Sequence, residues 1–208
     1  AIELLSKDSK GFFLMVEGSK IDWAAHANDP VGVVSDVIAF DDAVKVALEF
    51  ARKDKNTAVV IAADHFTGGM TIGNLDKNYD IQHISAFIDP LKKATLTGEG
   101  VEKLINEDKT NIIEVMRDFY GISDLSQDEI TAIVEADPGK LNEVIGPMIS
   151  NRSKLGWTSH GHTGDDVVLY MYHPKDYRYI GVIDNTDINK YLQEVLDLDL
   201  DKTTDRLF

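Results

Sequence analysis

The sequence predicts an α/β protein, and three observations carry that class. Residues Gly11 to Glu17 and Ala58 to Ala63 are continuous apolar runs, the first ending in Glu17 and the second followed by Asp64. Such runs read as strands buried in a sheet covered on both faces. Between them Val33, Val37, Phe40, Val44, Ala47, Leu48 and Ala51 recur at helical spacing, so Pro30 to Arg52 reads as one long helix packed on a sheet. Strand, helix, strand is the α/β order. In open α/β sheets ligands gather beyond the carboxyl ends of strands, which is where Glu17 and the Asp64-His65 pair fall.

The remaining elements follow in order. Ala1 to Leu5 reads as the tail of an amphipathic helix with no initiator Met, basic leader or long apolar segment around it, so the chain is expected to be a fragment or a processed product. From about Asp80 to Leu155 the chain turns helical and charged. Ser126 with Glu129 forms a capping box, Leu125 and Ile130 occupy the hydrophobic-staple positions, Asp137-Pro138 predicts a cap before a first-turn proline, and Gly121 marks a helix stop. Val167 to Tyr172 returns to strand character, and Asp187 to Leu196 reads as a closing helix. The expected organisation is a core of residues 1–80 and 156–208, with 81–155 a helical insertion in the same domain. The acidic end, Asp197 to Asp201, lacks the glycine and closing glutamate of a calcium loop and reads as a solvated tail.

Composition narrows the partners. At 208 residues the chain can bury an ordinary core. Its formal net charge of -15, with no basic tract, excludes the counterion-replacing contacts that nucleic acids and anionic membranes require. The same charge repels a phosphate unless bound cations reverse the local field. With no cysteine, thiolate metal sites, disulfides and cysteine nucleophiles are excluded, and any metal must take oxygen and nitrogen donors.

Those donors are present. Asp22 and His26 are four apart and share one face of a helical turn, a geometry that grips an ion but also occurs on ordinary surface helices. Asp64 and His65 directly follow a buried run, where polar residues face a site or are satisfied at some cost. Glu17 reads either as a ligand or as a strand-end carboxylate capping a helix. His162 lies between Gly161 and Gly164, where backbone approaches a ligand closely. His83, His160 and His173 read as loop or surface residues, with His160 the one placed to line a pocket; Lys20, Asp165 and Asp166 read as surface charges or groups around the ligands. Several metals sharing one site suit displacement at phosphorus.

Val16 to Asp22 with His26, Ala63-Asp64-His65 and His162-Thr163-Gly164 together closely resemble the alkaline phosphatases, over Gly11 to Gly73 and Trp157 to about Leu196. The resemblance implies a three-layer α/β/α core, here partial. It also implies two Zn2+ sites, the first held by Asp22, His26 and His162 and the second by Asp64 and His65, with Glu17 on one Mg2+. It implies hydrolysis of phosphate monoesters through a serine nucleophile, a homodimeric intact enzyme, and a periplasmic or secreted location. The helical insertion resembles the variable region placed before the last histidine ligand, associated with a crown or dimer contact. Two departures stand out. Trp23 occupies a position where some members carry a charge near the phosphate. No residue here matches the family's serine nucleophile, the aspartate bridging the second zinc and magnesium, the remaining magnesium ligand or the phosphate-gripping arginine, so the chain alone is expected to be inactive. The alternatives are another metallohydrolase of the same superfamily, which Glu17 argues against, and a non-catalytic metal-binding fragment.

Overall fold

The computed structural model describes residues 1–74 and 83–207, and they fall into two compact units. The first comprises Ala1–Ala43 and His65–Asp165, the second Val44–Asp64 and Asp166–Phe208. The expected boundary between residues 80 and 81 lies outside the described residues.

The first unit opens with a single turn, α1 (Ile2–Leu5), then α2 (Ser19–His26) and the start of α3 (Pro30–Asp54). Pro30 opens α3 because a missing N–H costs nothing in a first turn, and the helix continues into the second unit, two residues beyond the predicted Arg52. Two short antiparallel ladders follow: β2 (Phe66–Thr67) pairs with β5 (His162–Thr163), and β3 (Thr71–Ile72) with β4 (Leu155–Gly156). Among the described residues five helices lie between β3 and β4 in sequence: α4 (Ser85–Lys92), α5 (Gly98–Glu102), α6 (Ile112–Phe119), α7 (Gln127–Glu135) and α8 (Leu141–Arg152).

Those five helices hold the core. Val101, Ile112, Val115, Met116, Tyr120, Ile122, Ile133, Leu141, Ile145 and Ile149 are buried together with Val31 of α3. Removing each such side chain from water stabilises the fold by about 1.5–3 kcal/mol before entropy is counted. Local signals agree with this packing. The Ser126 side chain accepts from Glu129 N, and Glu129 reaches back to Ser126 N, so the capping box forms as read. The Lys109 ammonium donates to the carbonyls of Ile133, Val134 and Ala136, satisfying the C-terminal end of α7. Arg152 forks onto both Glu129 oxygens at 2.7 and 2.9 Å, joining α8 to α7 and holding the Glu129 carboxyl below its ordinary range. Gly121, at φ +77°, stops α6 as expected.

The second unit pairs β1 (Val59–Ile61) with β6 (Tyr170–Tyr172), antiparallel, in the register Val59↔Tyr172 and Ile61↔Tyr170. Its α9 (Asn185–Leu196) starts from a capping box between Asp184 and Asp187. Tyr191 is fully buried between Tyr177 and Tyr179, and its hydroxyl donates to the Tyr177 carbonyl at 2.9 Å.

Four local expectations change. Gly11–Glu17 forms neither strand nor helix, and Phe13, Met15 and Val16 are 61%, 68% and 59% exposed. An apolar run becomes a strand only when a neighbouring strand takes up its hydrogen bonds, and no described strand pairs with it. The strands at 58–63 and 167–172 shorten to three residues each, the length over which they pair with one another. Asp137-Pro138 opens a turn, not a helix: Lys140 N donates to Asp137 O and Gly139 sits at φ +80°, so α8 begins at Leu141. The acidic tail is helical in part. Asp197, at φ +52°, ends α9, and α10 (Leu200–Leu207) follows with Asp199 accepting from Lys202 N at 2.9 Å.

Candidate metal centre

Helix α2 presents Asp22 and His26 on one face, as their spacing predicts, with His26 Nε2 3.4 Å from Asp22 Oδ2. The β2–β5 ladder brings up the third member: Thr67 lies opposite His162 in the register. One donor atom each from Asp22, His26 and His162 lies within 4.8 Å of the others. Two donors about 2 Å from a common ion stand at most about 4 Å apart, and the Asp22–His26 separation falls inside that limit. All three are partly or wholly open to solvent, which leaves an entry path.

Thr67 orders this cluster. Its hydroxyl donates to Asp22 Oδ1 at 2.6 Å. Having used its one proton there, its oxygen accepts from His65 Nδ1 at 3.1 Å. The chain of bonds runs His65 to Thr67 to Asp22. The His65 ring also stacks on His162, with centroids 3.5 Å apart and planes 20° from parallel, while the His26 and His162 centroids are 5.1 Å apart. Nothing in the sequence signals Thr67, because its role depends on strand register.

The remaining predicted ligands are not gathered. Glu17 is exposed on the segment after Val16, and Asp64 is exposed in the second unit. Among the described residues neither joins a cluster of three potential ligands. Trp23 is 58% exposed and carries the Lys20 ammonium 3.8 Å over its ring, while Lys20 pairs with Glu99 at 2.8 Å. Asp165 accepts from the Thr163 hydroxyl at 2.7 Å. His83 and His173 make local loop contacts, with Ser85 and with Lys175 N respectively.

The turn after α2 anchors that helix to the helical core. Asn28 sits at φ +52° with its carbonyl accepting from the Ser150 hydroxyl of α8 at 3.1 Å. Gly146 of α8 approaches so closely that a Cβ there would stand 2.5 Å from the Ala27 oxygen. Asp29 is fully buried and accepts from Val31 N, from Gly98 N at the start of α5 and from the Tyr120 hydroxyl at the end of α6, at 3.1, 2.7 and 2.8 Å. Burial raises its carboxyl pKa in spite of these bonds, and the Tyr120 hydroxyl is likewise pushed up, first by burial and then by Asp29. Gly68, at φ +75°, lies where a Cβ would stand 2.7 Å from the Trp157 ring and 2.9 Å from the Ala25 oxygen, so the strand pair passes directly against α2.

The chemistry of this donor set fits a divalent cation. Carboxylate oxygens and imidazole nitrogens are the ligands of zinc and its neighbours. The class is therefore a carboxylate–imidazole cation site on a helix-rich α/β frame. The sequence profile of the alkaline phosphatase family matches residues 1–198, and the chain belongs to that family. It is 42% identical over 200 residues to alkaline phosphatase 4 of Bacillus subtilis strain 168, covering 94% of this chain and 42% of that protein. Among solved structures, the cold-active alkaline phosphatase of a psychrophilic Shewanella sp. matches at 30% identity and TM-score 0.76, over 94% of this chain and 48% of that one. The Thermus thermophilus alkaline phosphatase shares the fold at TM-score 0.84 and 24% identity, over 96% of this chain and 46% of that one. The fold is thus the partial alkaline-phosphatase-like α/β core that the resemblance implies. The chain spans less than half the length of these relatives. Among the described residues no helix is long and apolar enough to cross a membrane.

Proposed function

We propose that this chain carries most of the metal ligands of a phosphomonoester hydrolase of the alkaline phosphatase type. The convergence of Asp22, His26 and His162 is the observation that carries this reading. These three form the first zinc site, Asp64 and His65 contribute to the second, and Glu17 contributes to a magnesium site. Bound divalent ions supply a lowered pKa for water and neutralise charge developing on the phosphate oxygens. The chain's own residues do the positioning. Thr67 holds the Asp22 carboxylate and the His65 ring in fixed orientations, so the donors are set before an ion arrives. No residue here matches the family's serine nucleophile, and the 208-residue chain by itself is inactive. Family resemblance supports phosphate monoesters as substrates, a homodimeric intact enzyme and a periplasmic or secreted location.

The test is zinc content and affinity on the chain, measured together with phosphate release from p-nitrophenyl phosphate in excess zinc and magnesium. Bound zinc without turnover is expected, with Asp22→Ala lowering zinc affinity more than about 100-fold, the upper end of what loss of a mere outer contact costs. Turnover abolished by a chelator would place a nucleophile within these residues and overturn the assignment. Zinc affinity unchanged by Asp22→Ala would remove Asp22 from the site.

A further inference from the structure

We infer that His160 is a positioning residue for the metal centre: through a reciprocal pair of hydrogen bonds it fixes the tautomer and the ring orientation of His26. The inference rests on the reading of Asp22, His26 and His162 as ligands. His26 Nδ1 lies 2.5 Å from the His160 carbonyl oxygen, and His160 Nδ1 lies 2.8 Å from the His26 carbonyl oxygen. A carbonyl oxygen can only accept, so both Nδ1 atoms carry protons. In the neutral His26 ring the lone pair is then confined to Nε2, the atom 3.4 Å from Asp22 Oδ2. A ligating histidine needs this arrangement: one nitrogen donating to a fixed acceptor, the other free for the ion.

The loop that carries His160 is itself held. Thr158 N and Ser159 N donate to Gly68 O at 2.9 and 3.2 Å, and Gly68 N donates to Gly161 O at 2.9 Å. The His160 carbonyl therefore hangs from the same β2–β5 connection that delivers His162. What the ring adds is the second bond of the pair, which ties that loop to the last residue of α2. Without it the loop remains attached to Gly68 and is joined to α2 through the single bond from His26 Nδ1 to the His160 carbonyl, so the carbonyl that fixes His26 is held by one bond of the pair in place of two. Asn28, whose side-chain amide lies 3.5 Å from His160 Nε2, borders the ring on its other edge. The ring is exposed and lines an open cleft with Ala132, Glu135, Ala136, Asp137 and Lys140, so its replacement leaves no buried void.

The experiment has two readouts on the 208-residue chain. The first is zinc affinity by competition with a chromogenic chelator, for the parent and for His26→Ala, His160→Ala and His160→Asn. The second is the 15N signature of the His26 ring in the metal-free protein, which reports the Nδ1-protonated tautomer. Expected are near-complete loss of binding in His26→Ala and a roughly tenfold loss in His160→Ala, within the range for removing a contact to a ligand. His26 should then populate both tautomers. His160→Asn, which keeps an N–H donor near the position of Nδ1, should restore affinity and tautomer. His160→Ala indistinguishable from the parent in both readouts overturns the proposal while leaving the metal reading intact, as does an equal loss in His160→Ala and His160→Asn. If His26→Ala binds zinc like the parent, the metal reading fails instead. The tautomer signal of the metal-free chain then decides on its own whether His160 sets the His26 ring.

Discussion

The helical region from Ser85 to Arg152 supplies nearly all of the buried core cluster, although Ile113 and Val134 stay 60% and 51% exposed, whereas several large apolar side chains of the segments before and after it lie open. In the former, Ile133, Ile145 and Ile149 have no exposed surface and Tyr120 none either. In the latter, Phe13, Met15, Ile72, Val168 and Tyr170 are each about 60% exposed or more. The helices satisfy their backbones internally and need only bury one face against each other, whereas a strand of two or three residues gains its hydrogen bonds and its burial from neighbours. Stability and ligand geometry therefore reside in different residues. The proposed ligands Asp22, His26 and His162 sit on α2 and β5, while the packing around α2 belongs largely to the helices between Ser85 and Arg152.

Breaking that contrast starts in the core. Ile149→Ala should cost about 2–5 kcal/mol, whereas Val168→Ala, at a residue 62% exposed, should stay within about 0.5 kcal/mol. Urea unfolding at unchanged slope reads both, and comparable losses would erase the distinction between the two regions. Of similar size is Asp29→Ala, which strands the buried Gly98 N–H and the Tyr120 hydroxyl at about 1–3 kcal/mol each. Asp29→Asn retains an acceptor and should recover part of the loss, and zinc affinity should fall with Asp29→Ala because the same turn aims His26.

Smallest is a pair of opposed pH effects. The Glu129 carboxyl is held low by Arg152. Its stabilisation is present above the ordinary glutamate range and is lost as pH falls through the lowered folded pKa. Asp29 is raised, so the folded state binds its proton more readily, and its contribution falls as pH rises from the ordinary aspartate range toward the raised value. Unfolding free energy against pH should show Glu129→Gln flattening the acid side of the profile and Asp29→Asn removing the opposite slope. Identical profiles for parent and variants would show that neither carboxyl is linked to folding.

Features governed by spacing along one element were legible in the sequence. Asp22 and His26 meet because a helix brings i and i+4 together, and the Ser126–Glu129 box and the stop at Gly121 are equally local. Features governed by pairing were not. Thr67 and His160 act through the β2–β5 register and the loop beside it, which join residues nearly a hundred positions apart or more. Gly11–Glu17 has strand composition, yet composition supplies no partner. At Asp137-Pro138 the expected cap does not form, since the chain turns there with Gly139 at positive φ and α8 starts only at Leu141.

The buried Asp29 carboxylate has a consequence for modular exchange. It lies three residues after His26, yet it is bonded to the first residue of α5 and to the residue that closes α6. The helical region is thus keyed to α2 by a carboxyl group that belongs to neither its own sequence nor its own core. Grafted onto another scaffold without an acceptor at that point, it would arrive with two donors and no lock to turn. Lengthening it in the exposed stretch between α5 and α6 leaves the key in place.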